Sequence, residues 1–229
     1  MKLSNEIKPG RRLRHLLVGT RAYIGPGVAT ALYAKLAERA GFEVMFTTGS
    51  GIANTFLGLP DVGLATMTEV VTAVRRIVQA TSLPVIADAD TGYGNQLNVY
   101  RTVQELEHAG VAGLIIEDQW TPKRCGHFAN KRVIPSEEMV QKIKAARAAR
   151  SDPDLVLIAR TDSVSVEGLE HALHRGQAYA RAGADVVFIE APTTIDEIAR
   201  IPPAIPVPCM INTALRTTPW ESFRGWPNA

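Results

Sequence analysis

Asp88 and Asp90 stand two residues apart at the end of the apolar run Leu83-Pro-Val-Ile-Ala87, and Thr-Gly-Tyr-Gly94 follows them. In a strand the side-chain period is two, so both carboxylates leave one face while Ala87 and Ala89 leave the other. Like charges at the end of a buried strand repel unless a cation sits between them. Oxygen ligands of this kind suit Mg²⁺ or Mn²⁺. The same pair also reads as one helix-capping and one solvated aspartate. Four more polar residues, Glu117, Arg160, Glu190 and Asn212, each close a later apolar run. Arg160 offers a planar fork for a carboxylate or phosphate, and Glu190 and Asn212 could orient further substrate oxygens. Thr48, Gly49 and Ser50 make a turn whose N–H groups and hydroxyls could cradle a carboxylate. Cys125 lies beside Lys123 and Arg124 and near His127, neighbours that depress a thiol pKa and prepare it for acid, base or nucleophilic work. Cys209 sits in an apolar strand and belongs to the core. His108, His171 and His174 read as solvated helix residues, and Trp120 and Phe128 as packing residues. Asp118, Thr161 and Asp162 are expected to face away from the site.

Short apolar runs alternate with helical patterns along the chain. Strands are expected over Leu16–Ile24, Val44–Thr48, Leu83–Asp88, Val111–Ile116, Asp154–Ala159, Ala184–Ile189 and Ile205–Ile211. Helices are expected over Ala29–Ala40, over a segment capped by Thr68 and ending at Ala80, and over Asn98–Ala109, Ser136–Arg150, Gly168–Ala182 and Thr194–Arg200. Such alternation with short connections predicts parallel strands in an α/β fold. No Gly-x-Gly-x-x-Gly follows the first strand, so the usual mark of a dinucleotide-binding doubly wound sheet is missing. Polar residues recur instead at the C-terminal ends of successive strands, the ends that ring the active-site mouth of a TIM (β/α)₈-type barrel. Seven strands are countable, so the barrel is expected to be truncated after the seventh. Residues 1–212 form this barrel domain lacking its eighth unit, and 213–229 form an irregular Pro/Trp-rich tail.

The 229 residues suit one domain with a sizeable core. With 46% hydrophobic and 21% charged residues the composition is that of an ordinary globular protein. A net charge of +2 without a long basic run gives no reason to expect nucleic-acid binding. The run from Lys142 to Arg147 has helical spacing and reads as a solvated helix face. Two cysteines make no disulfide framework, and no apolar window suits a signal peptide or membrane span, so a reducing, cytoplasmic setting is expected.

Taken together, Gly-Leu-Pro-Asp at 58–61, Asp-Ala-Asp-Thr-Gly-Tyr-Gly at 88–94, Ile-Glu-Asp-Gln at 116–119, Lys-Arg-Cys-Gly-His at 123–127 and Ala-Arg-Thr-Asp at 159–162 closely resemble the isocitrate lyase/phosphoenolpyruvate mutase superfamily. The resemblance spans residues 20–212 and is nearest to the 2-methylisocitrate lyase, 2,3-dimethylmalate lyase and oxaloacetate hydrolase type of member. It implies Mg²⁺ (or Mn²⁺) held through Asp88 and Asp90, with Asp61 and Glu117 assisting. It further implies a gating loop from Lys123 to His127, including Gly126, with Cys125 as general acid, and substrate contacts from Arg160, Glu190, Asn212 and the Thr48–Ser50 turn. The implied chemistry is retro-aldol (Claisen-type) cleavage of a 2-hydroxy di- or tricarboxylate to a 2-oxo acid and a carboxylate. A homo-oligomer is implied where the truncation permits. The other readings are an inactive truncated homologue that binds a ligand or pairs with a subunit, a carboxyphosphonoenolpyruvate phosphonomutase, and an oxaloacetate hydrolase. Cys125 disfavours the phosphorus chemistry. Departures from the family pattern include Phe46, Thr48, Ala29–Ala34 and the segment after Asn212.

Overall fold

The computed structural model describes residues 8–124 and 130–212. Seven parallel strands pair in sequence order: β1 (Gly27–Val28), β2 (Met45–Thr47), β3 (Val85–Asp88), β4 (Gly113–Glu117), β5 (Val156–Thr161), β6 (Val186–Ile189) and β7 (Cys209–Met210). Each crossover steps to the next strand without reversal, and such crossovers are overwhelmingly right-handed. All the connecting helices therefore lie on one face, and the sheet curls with its other face inward, as in a (β/α) barrel. Among the described residues there is no eighth strand, and β1 and β7 remain edges.

Residue parity shows the two faces directly. Ile86, Ile115, Val156, Ile158, Val186 and Phe188 form one buried cluster inside the curl. Ala87, Leu114, Ile116, Leu157 and Ala159, from the alternate positions, pack instead against the outer helices. Strands buried on both faces read as continuous apolar runs, which is why they were visible in the sequence.

Among the described residues, eight α-helices between the strands surround the sheet: α2 (Ala31–Arg39), α3 (Gly49–Ile52), α4 (Met67–Gln79), α5 (Gln96–Ala109), α6 (Ser136–Ala149), α7 (Val164–Glu167), α8 (Leu169–Ala182) and α9 (Ile195–Ala204). A capping box of Thr66 and Glu69 starts α4, so the expected cap Thr68 is a helical residue. Asn95 caps α5 through the backbone N–H groups of Leu97 and Asn98. The expected first strand is wrong. Pro9–Leu17 is instead helix α1, with Pro at its first position, and the strand that follows is the two-residue β1. Leu13 of α1 packs into the inner cluster beside Ala112 and Val156, closing the end of the curl where strands begin. The expected tail at 213–229 lies outside the described residues. Among the described residues no helix is long and apolar enough to cross a membrane.

Candidate active site

The same parity that fills the inside of the curl continues to its rim. Asp88 follows Ile86, Glu117 follows Ile115, Arg160 follows Ile158, Glu190 follows Phe188, and Asn212 follows Met210. Thr48 likewise follows Phe46. Inward apolar residues thus give way to inward polar ones at the C-terminal end of six successive strands. Register then sets neighbours: Glu117 pairs with Arg160, and Arg160 with Phe188.

The acidic corner is tightly built. Asp88 accepts from the Gly49 N–H at 3.2 Å and, through its other oxygen, from the Asp90 N–H at 3.0 Å. A Cβ on Gly49 would lie 2.9 Å from Asp88 Oδ2, so only glycine lets the α3 backbone approach this closely. Asp90 (φ 47°) and Tyr93 (φ 59°) are both left-handed, a conformation that costs non-glycine residues about 1–3 kcal/mol each. Lys123 Nζ lies 2.5 Å from Asp61 Oδ1 and 2.8 Å from Asp90 Oδ1. This one ammonium faces several carboxylates. Burial, and then the charge of Asp88, raise the Asp90 carboxyl to about 6 despite Lys123. Burial also holds Glu117 well above the carboxylate range, against the pull of Arg160. For Lys123 burial opposes the charge, but Asp90, Asp88, Glu117 and Asp61 outweigh it and raise its pKa.

Glu117 Oε2 lies 3.4 Å from Arg160 Nε, while Glu117 Oε1 and Glu190 Oε2 are buried without a hydrogen-bond partner among the described residues. Glu190 accepts from Asn212 at 3.4 Å through its other oxygen. Arg160 stacks over the Phe188 ring and spends two donors, Nε and one Nη, on Asp162 at 2.9 and 3.0 Å. The expectation that Asp162 faces away is therefore corrected. Its carboxylate is fully buried between Arg160 and Lys131, whose Nζ lies 2.7 Å from it. Asp118 and Thr161 do point away from the mouth. Asp118 accepts from Thr161 Oγ1 and the Tyr179 hydroxyl, each at 2.7 Å, and pairs with Arg175.

In the Thr48–Ser50 turn, Thr48 Oγ1 caps α3 by accepting from the Gly51 N–H. The Gly49 N–H, spent on Asp88, does not point outward as the cradle reading expects. Trp120 is half-exposed rather than packed in the core, with Arg132 over its ring. His108, His171 and His174 are exposed, and burial pushes the Cys209 thiol up to about 11. Cys125, Gly126, His127 and Phe128 lie outside the described residues.

The sequence reading missed Tyr93. Its buried hydroxyl has no hydrogen-bond partner among the described residues, and it lines a cavity of about 400 Å³ with Asp90, Lys123 and Lys142. No sequence signal distinguishes it from an ordinary packing tyrosine. Lys142 is also corrected: it is buried, not part of a solvated helix face.

For a divalent ion, the donor set consists of Asp88 and Asp90 with Glu117 and Asp61 nearby. Among the described residues no group of three or more His, Cys, Asp or Glu forms a ready cage. Mg²⁺ needs none, since it is commonly held by one or two carboxylates with waters and substrate completing the shell. The unpartnered Glu117 oxygen and the raised Asp90 carboxyl are what an excess of buried oxygen donors over positive charge produces, so the residues fit such an ion.

A singly wound parallel sheet with its polar residues gathered at one rim defines a (β/α)-barrel protein with a mouth-facing site. The sequence pattern of the family described as phosphoenolpyruvate phosphomutase matches residues 13–224, and the chain belongs to the PEP mutase/isocitrate lyase superfamily. It is 49% identical to 2,3-dimethylmalate lyase of Eubacterium barkeri over 195 residues, 85% of this chain and 68% of that protein. It is 44% identical to 2-methylisocitrate lyase of Shewanella oneidensis over 203 residues, 89% of this chain and 70% of that one. Among solved structures, oxaloacetate acetylhydrolase in complex with 3,3-difluorooxalacetate superposes with a TM-score of 0.86 at 36% identity, covering 90% of this chain and 71% of that chain. A phosphonopyruvate hydrolase in complex with oxalate and Mg²⁺ superposes with a TM-score of 0.81 at 35% identity, covering 90% and 72%. The barrel-type fold expected from the sequence is thus borne out.

Proposed function

We propose that the chain is a Mg²⁺-dependent carbon–carbon lyase that cleaves a 2-hydroxy di- or tricarboxylate of the dimethylmalate or methylisocitrate class. The observation that carries this reading is the rim itself: buried carboxylates in excess of local positive charge face an arginine across one barrel mouth. Relatives at 44–49% identity that are named lyases of these two acids support the substrate class. Asp88 and Asp90 would hold the ion, assisted by Asp61 and Glu117. When bound, Mg²⁺ supplies Lewis acidity and a template for the 2-oxo acid product.

The remaining work falls to the chain. Arg160, oriented by Asp162, presents its remaining guanidinium edge to a substrate carboxylate, with Asn212 and the hydroxyls of Thr48 and Ser50 as further donors. Glu117 in its ionised form would accept the substrate hydroxyl proton, and burial, which raises its pKa, makes that carboxylate a stronger base than one in water. Glu190 orients the substrate hydroxyl. Cys125, between Lys123 and His127, protonates the departing enolate carbon, and Gly126 contacts the substrate. The enzyme is expected in the cytoplasm, as a homo-oligomer built on the barrel of residues 1–212.

Assay of 2-oxo acid release from a panel of 2-hydroxy acids with Mg²⁺ tests the reading. Turnover of one or more members is expected, with Cys125→Ser lowering kcat by about 10²- to 10⁴-fold at unchanged melting temperature. Folded protein that turns over nothing on the panel overturns it. Cleavage of oxaloacetate alone would replace it with the hydrolase reading, which the likeness to oxaloacetate acetylhydrolase supports.

A further inference from the structure

The turn that carries Asp90 is held by bonds to its backbone carbonyls. Ala89 O accepts from the Gly92 N–H at 2.9 Å, and Asp90 O from the Glu117 N–H at 2.8 Å. Gly92 O accepts from the Thr102 hydroxyl at 3.2 Å. Thr91 O accepts from Lys142 Nζ at 3.1 Å, across 51 residues of sequence. Lys142 projects from the middle of α6, beside Met139, Ile143 and Ala146, which are buried with it. It is 3% exposed, and among the described residues it has no carboxylate within ion-pair distance. Glu138, Asp118 and Glu117 act on it only at longer range, and a buried ammonium with no paired carboxylate is a poor way to fill space, since an apolar side chain would pack there without the desolvation cost. Among the described residues its hydrogen bond goes to the carbonyl that directly follows Asp90.

We propose that Lys142 is a positioning residue: it fixes the left-handed Asp90–Tyr93 turn through Thr91 O and so aims the Asp90 carboxylate at the ion. The inference rests on the metal reading above for its purpose, but not for the contact. α6 then contributes to the mouth not only by lining its cavity but by setting the backbone of a neighbouring loop. The effect is local because the other three carbonyls of the turn keep their partners, leaving one corner free to swing.

Lys142→Met removes the donor and keeps the length and apolar stem, while Lys142→Arg keeps a donor. Three measurements on the full chain separate the outcomes: thermal melting, hydrogen exchange of the peptide spanning residues 88–95, and Mn²⁺ binding followed by electron paramagnetic resonance. The expected result for Lys142→Met is near-parental melting, exchange of the Gly92 amide faster by about tenfold or more, and Mn²⁺ binding about tenfold weaker, with Lys142→Arg close to the parent in all three. Unchanged exchange in folded Lys142→Met overturns the proposal. So does global unfolding of Lys142→Met beside a parental Lys142→Arg, which would make the lysine a stabiliser of the whole domain. Should the parent itself bind no Mn²⁺, the metal reading fails, and the exchange result still decides whether Lys142 holds the turn.

Discussion

At the scale of single residues, Arg160 is the most constrained side chain at the mouth. Burial opposes its charge, but Asp162, Glu117 and Glu190 outweigh that and raise its pKa. Its edge toward Asp162 is a two-point contact that a lysine cannot reproduce. Arg160→Lys should raise KM for the acid substrate by about 10- to 100-fold, the equivalent of one lost charge-assisted bond of about 1.5–3 kcal/mol. Steady-state kinetics would show this, and an unchanged KM would place the substrate carboxylate elsewhere. The inward parity of Asp88, Glu117, Arg160 and Glu190 was legible in the sequence because each ends an apolar run whose period is two. Asp162 was not. It also has inward parity, but only the fold brings its carboxylate back onto Arg160 and Lys131.

The helices and strands were legible where amphipathic pattern and end signals agreed. α5, α6 and α8 lie within two residues of expectation at each end. The sequence reading misses α1 because Arg11, Arg12 and Arg14 hide its apolar stripe and leave Leu16–Leu17 looking like the start of a strand. Only the barrel floor, not local pattern, explains why Leu13 is buried. Thr66 was passed over for Thr68, although the reciprocal bond between Thr66 and Glu69 is the stronger start signal. Thr66→Ala should destabilise the protein by about 1 kcal/mol, readable as a shift of the denaturant midpoint, whereas Thr68→Ala should leave it nearly unchanged. Equal effects of the two would return the cap to Thr68. The π-helical turn Ala53–Leu57 that follows α3 carries no sequence signal at all.

For the whole molecule, acid stability gathers contributions from contacts between successive helix–strand units. Glu38 near the end of α2 accepts from the Ser82 hydroxyl and backbone N–H ahead of β3, and those bonds hold its carboxyl below the usual range. A depressed folded-state pKa means its contribution is full above the unfolded value near 4.5 and is lost as pH falls through the lower folded value. Glu38→Gln should therefore lower stability modestly at pH 7, with the gap to the parent closing as pH drops below about 4. Melting curves across pH test the sign, and a gap that widens in acid would contradict it. The left-handed backbone at Asp90 and Tyr93 has a different consequence, for how this sequence can drift. Glycine at position 90 would relax the turn, yet it would also delete a rim carboxylate and its 2.8 Å pair with the buried Lys123 ammonium. The position therefore trades backbone strain against one ion pair, so drift at 90 needs a matching change at Lys123.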